Sequence, residues 1–179
     1  MTRKALLQAF LVLLVVVISV LLFINRSFIS HFEAIGYPGA FLIGLVSNAT
    51  FILPMPGLLI LFTLATVFNP VLIGLLGAAG GAVGELSGYA LGYSGRAITG
   101  DSKWVNRGEE LIQKRGFLAI FLFALVPFLP FDVLGLVAGI LRYPVWKFIL
   151  ASFLGKALLY VAVALASAQG WNVVQRIFG

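Results

Sequence analysis

PFLPFDVLGLVAGILRYP, residues 127–144, sets three prolines, two glycines and an aspartate inside a strongly apolar chain. Proline removes a backbone donor and clashes with the preceding turn. An aspartate at the centre of a bilayer costs roughly 3 kcal/mol or more unless it is partnered. One uninterrupted crossing helix is a poor reading of this stretch. It reads instead as a break at Pro127 and Pro130 between two pieces of residues 117–142, each too short to span a membrane, with a half-helix over 131–141.

The composition points to the same environment. Of 179 residues, 61% are hydrophobic and 10% charged, with mean hydropathy +1.11. A soluble domain cannot bury that much apolar surface, so an all-α polytopic integral membrane protein is expected. No cysteine is present, which excludes disulfides and thiolate metal sites. The single histidine, His31, makes a zinc centre a poor fit, and no metal or cofactor is expected. The formal charge of +6 reads as basic residues in cytoplasmic loops rather than as a nucleic-acid surface.

Outward from the break, residues 5–24 follow Arg3 and Lys4 as a continuous apolar run and read as a retained transmembrane helix. A cleaved signal peptide would have a shorter apolar region, about 7–15 residues, ending at small residues. Residues 25–37 read as interfacial, with Phe28, Phe32 and Ile35 on one helical face. Residues 41–70 are cut by Pro54 and Pro56 into apolar pieces of 13 and 12 residues. Each reaches about 20 Å, short of a hydrocarbon core of about 30 Å. Two half-length helices that enter and leave on the same side form a re-entrant hairpin, whose broken backbone must be satisfied by protein or water. Residues 71–95 are a full span. Residues 96–116 are polar, and Trp104, Leu111 and Ile112 mark one face of an amphipathic surface helix. Residues 117–142 form a second hairpin and 145–168 a second full span. The domain reading is therefore 1–33 for the first helix and interfacial segment, 34–170 for the membrane domain and 171–179 for a short tail. The membrane domain divides into repeat one 41–95, linker 96–116 and repeat two 117–168.

The two halves repeat at a fixed offset. Pro56 and Pro130 lie 74 residues apart, as do Pro70 and Pro144, Val71 and Val145, and Gly81 and Gly155. A hairpin crosses no times and a span once, so the second copy is expected to be inverted, an arrangement on which many transporters are built. With the N-terminus cytoplasmic, nine of the twelve basic residues fall inside, as the positive-inside rule demands.

Three ionisable residues remain at membrane depth: Glu85, Asp132 and Lys156. Gly80, Gly84, Gly88 and Gly92 form a side-chain-free helix face beside Glu85 that suits close packing. Tyr89, one turn on, is placed to donate to Glu85. Asp132 is placed as an N-cap of the half-helix 131–141, or as a charge at the hairpin tip. Lys156 can pair with one acid at a time, so the site sums to −1 if all three are charged, and a proton held at one carboxyl would relieve it. The transport pathway is expected along Glu85, Asp132, Lys156 and Tyr89, with Arg96 and Arg142 attracting phosphate at the cytoplasmic end. No nucleophile–base pair, metal cluster or catalytic carboxylate pair stands out, so no enzyme is expected.

The first-hairpin "PMPG", "GAVGELSGYALGYSGR" (Gly81 to Arg96), "PFLPFDVLGLVAGILRYPVWKF" and the Gly155-Lys156 pair resemble the DedA/VTT superfamily of SNARE-associated Golgi proteins. The resemblance covers residues 34–170 and is nearest a small prokaryotic VTT branch. It implies two facing re-entrant hairpins in the inner or plasma membrane and movement of lipids between leaflets, by scrambling or flipping, with proton coupling in some members. The implied partners are membrane phospholipids or polyprenyl phosphate. The arginines that flank the second hairpin's proline in typical bacterial members are replaced here by Ala124, Leu125 and Phe128. The rival readings are an ion-coupled transporter of a small soluble substrate and a structural membrane protein; homo-oligomerisation is left open.

Overall fold

A computed structural model of the chain describes residues 33–49, 54–94, 103–127 and 129–178, with side chains over 36–49, 57–94, 106–127 and 129–170. Every element among the described residues is helical. The expected first span over 5–24 lies outside them, as do most of the interfacial segment 25–37 and Arg96.

Helix α1 (Glu33–Ala49) and α2 (Pro54–Leu64) pack on each other across the first break. Pro54 and Pro56 both lie in the first turn of α2. At the start of a helix the missing proline donor has no intrahelical partner to lose. Helix α3 (Pro70–Gly84) starts on an Asn69 cap whose side chain accepts from the Val71 and Leu72 amides at 3.0 and 3.2 Å. Helix α4 (Leu86–Tyr93) follows after the single residue Glu85, which keeps helical torsions. The Glu85 and Tyr89 amides still donate to Gly81 and Glu85 carbonyls, so Pro70–Tyr93 is in effect one 24-residue span.

Helix α5 (Lys103–Leu125) joins the amphipathic segment to the first half of the second hairpin through a kink at Arg115, φ −149° and ψ 51°. The kink sets Gly116 against the Tyr143 ring, where a Cβ would stand only 2.6 Å from Cε2. Of the expected amphipathic face, Ile112 is buried but Leu111 is exposed. The second break, 126–130, holds Pro127 and Pro130 as anticipated, and α6 (Phe131–Ile140) follows it. Helix α7 (Val145–Phe178) provides a second apolar stretch, Val145–Gly170. It continues into the short tail: the apolar run ends, but no proline stops the helix.

Among the described residues two cores form, and α7 is common to both. Leu61, Leu64, Phe68 and Ile73 of the first half pack with Tyr160 and Ala164. Ile120, Phe131, Leu134 and Val137 of the second pack with Phe148 and Ala151, and with Tyr89 of α4. The glycine face divides between them. A Cβ on Gly80 or Gly84 would strike the carbonyl oxygens of Phe41 or Leu45 on α1, and one on Gly92 would strike that of Leu136 on α6. Between these contacts Gly88 has only the Asp132 carbonyl oxygen, at 3.8 Å. Large apolar side chains such as Trp146, Leu150, Leu154 and Leu158 point outward along α7, a stripe that lipid can solvate and water cannot.

Candidate functional site

Between the two hairpins lies a cavity of about 590 Å³. Hairpin one contributes Ser47, Asn48, Leu58 and Leu59; hairpin two contributes residues from Phe123 to Asp132; the spans contribute Glu85, Lys156, Leu159 and Tyr160. The wall is mainly apolar, with a few converging polar groups, which is the usual make-up of a small-molecule site.

Lys156 is buried at mid-span and organises the polar side. Its Nζ forms an ion pair with Glu85 Oε1 at 2.9 Å and donates to Asn48 Oδ1 at 2.7 Å. Asn48 Nδ2 in turn donates to the Gly44 carbonyl at 2.7 Å and to the Tyr160 hydroxyl at 3.2 Å. The ammonium also stands 5.0 Å from the Phe131 ring centroid and 6.0 Å from that of Tyr160. One network thus ties the tip of the first hairpin to both spans. A buried pair is tolerable when such additional hydrogen bonds satisfy its remaining donors and lone pairs. Gly81 leaves room for it: a Cβ there would lie 3.1 Å from Lys156 Cδ and 3.0 Å from Asn48 Nδ2.

Glu85, Asp132 and Lys156 are brought to one cavity, whereas Tyr89 is not among its lining residues. The Tyr89 hydroxyl does not reach Glu85 as expected. It donates to the Tyr143 carbonyl at 2.6 Å, pinning α4 to the turn after α6. Asp132 is not the cap of α6. Pro130 takes that position with no side-chain cap bond, and Asp132 sits in the first turn, half-buried. Arg142 lies outside the cavity wall, exposed, at φ 50° after α6, with its guanidinium 5.4 Å from the Tyr93 ring centroid.

Asn48 was missed from sequence. It lies in an apolar segment followed by Ala-Thr, so it reads as a chance sequon. The signal that could have found it is the cost of a polar amide at membrane depth, which demands a partner.

The profile of the VTT domain matches residues 55–169 of the chain, a stretch that begins in the first turn of α2 and ends near the end of the apolar part of α7. No curated protein and no solved structure matches.

Proposed function

The chain belongs to the VTT-domain family, and on that premise we propose that this membrane protein moves lipids between leaflets, with phospholipids or polyprenyl phosphate as cargo. The observation that carries the reading is the cavity between the two hairpins, with the Lys156–Glu85 pair on its wall. Short broken helices meeting beside full spans would give a headgroup a polar step at mid-membrane while the acyl chains stay in lipid. The proposed frame has a cytoplasmic N-terminus and two inverted hairpin–span units. The hairpins re-enter from opposite sides of the cell membrane, and the chain acts as a transporter and not as an enzyme. Protons are the proposed coupled ion, exchanged at Glu85.

The test is reconstitution in vesicles that carry fluorescent phospholipid in both leaflets, followed by a membrane-impermeant quencher outside. Protein-free vesicles keep the inner-leaflet half of the signal; vesicles with the protein are expected to lose most of that half without leaking. A signal equal to the empty control removes general phospholipid movement. In the same assay Glu85→Gln is expected to flatten the pH dependence of the rate, and an unchanged profile removes Glu85 from proton coupling.

A further inference from the structure

Among the described residues, the charges on the cavity wall are two acids and one base: Glu85, Asp132 and Lys156. The base is already engaged. Two of its three donors go to Glu85 and Asn48, and the Phe131 and Tyr160 rings flank the ammonium. The Asp132 side chain has no hydrogen bond or ion pair among the described residues, although it lines the same cavity as Lys156. The unmatched charge of the cavity is therefore negative and is located at the start of α6. The nearby basic side chains do not correct it. Arg142 is exposed and lies over Tyr93, and Lys147 Nζ stands 5.4 Å from the Trp146 ring centroid; neither belongs to the cavity wall.

We infer that the cavity receives a headgroup bearing an ammonium, bound by the free Asp132 carboxylate, in preference to a headgroup that is only anionic. The inference rests on the lipid-moving reading and narrows its cargo. An anionic headgroup without an amine would bring a second uncompensated negative charge beside Asp132. Neutralising it with Lys156 would draw that residue off Glu85 and Asn48 and leave a buried carboxylate unpaired. An ammonium meets the carboxylate directly through a charge-assisted hydrogen bond, and the adjacent Phe131 ring can contribute cation–π attraction. The phosphate of a zwitterionic headgroup then faces the remaining donor of Lys156. The acyl chains run past Leu58, Leu59 and Leu129 toward lipid.

The test uses the full chain in vesicles holding acyl-labelled phosphatidylethanolamine or phosphatidylglycerol, with the impermeant quencher as readout. The ethanolamine lipid is expected to cross roughly tenfold faster or more, as a charged hydrogen bond allows. The ratio should fall to about one in Asp132→Asn and persist in Asp132→Glu, which keeps the carboxylate and controls for folding. Equal rates in the unaltered protein, or a ratio unchanged in Asp132→Asn, overturn the inference and leave lipid movement standing. If neither lipid crosses, the lipid-moving reading fails and retention decides the inference. Purified protein offered both lipids in equal amounts should keep the ethanolamine lipid in an Asp132-dependent manner, and equal retention overturns it. Soluble phosphoethanolamine is not expected to be carried; its Asp132-dependent uptake into vesicles in which neither lipid crosses would assign the site to a soluble amine and overturn the lipid headgroup.

Discussion

Lys156 holds the two halves of the site together, and its environment decides what each substitution around it does. Removing one partner of a buried ion pair leaves an uncompensated charge, at a cost of about 3–5 kcal/mol, whereas removing both with apolar residues of similar volume is often close to neutral. Glu85→Leu alone should therefore lower the thermal midpoint in detergent sharply, and Lys156→Met alone likewise, while the double variant recovers most of the loss. Losses that simply add would show that the 2.9 Å pair is not energetically coupled. The sequence made Glu85, Asp132 and Lys156 conspicuous because a charge in an apolar run is conspicuous. It did not reveal which acid Lys156 chooses, since that depends on the relative placement of α3, α4 and α6. Nor could it show that the Tyr89 hydroxyl turns to Tyr143. A backbone carbonyl 54 residues away leaves no local signature, whereas a carboxylate four residues away offers a false one.

At the scale of elements, prolines and glycines were the legible part. Pro127 and Pro130 lie in the second break. Pro54 and Pro56 open α2, where a missing donor does no harm. The glycine face was legible as a face, but its four members are not equivalent. Gly80 and Gly84 admit α1 and Gly92 admits α6, while at Gly88 a Cβ would make only ordinary contact with the Asp132 carbonyl oxygen. Gly139 on α6 is the reciprocal of Gly92: its Cβ would strike the Tyr89 carbonyl oxygen and stand 2.7 Å from the Tyr93 amide nitrogen. Overpacking of this kind typically costs about 1–3 kcal/mol, occasionally more, and here the struck atoms are backbone and cannot rotate away. Gly92→Val and Gly139→Val should reduce the yield of monodisperse protein and lower its thermal midpoint, whereas Gly88→Ala and Gly39→Ala should leave both nearly unchanged. Equal sensitivity at Gly88 and Gly92 would refute the division of the face between two helices. The kink at Arg115 was not legible, because the polar segment and the hairpin helix both have ordinary helical sequences. Only the approach of Gly116 to Tyr143 distinguishes the junction.

For the whole molecule, the sequence repeat at 74 residues and the helix contacts point to one plan. Helix α1 packs on α3, and at the same offset the latter part of α5 packs on α7; the second helix of each hairpin contacts the later half of the other unit's span. The proposed inversion makes a claim about sidedness that contacts within the protein cannot test, but the absence of native cysteine makes it directly measurable. Val71, exposed in the first turn of α3, and Lys114, exposed just before the kink in α5, bracket a single span. The proposed topology places Val71 outside and Lys114 inside, because α3 and α4 run inward and the basic residues of the linker follow the positive-inside rule. In intact cells, a membrane-impermeant maleimide should label Val71→Cys and reach Lys114→Cys only after permeabilisation. The opposite pattern would invert the whole frame, with its basic residues outside against the rule. Labelling of both positions from one side would mean that Pro70–Tyr93 does not cross, and the cavity between the hairpins would then no longer lie between the two faces of the membrane.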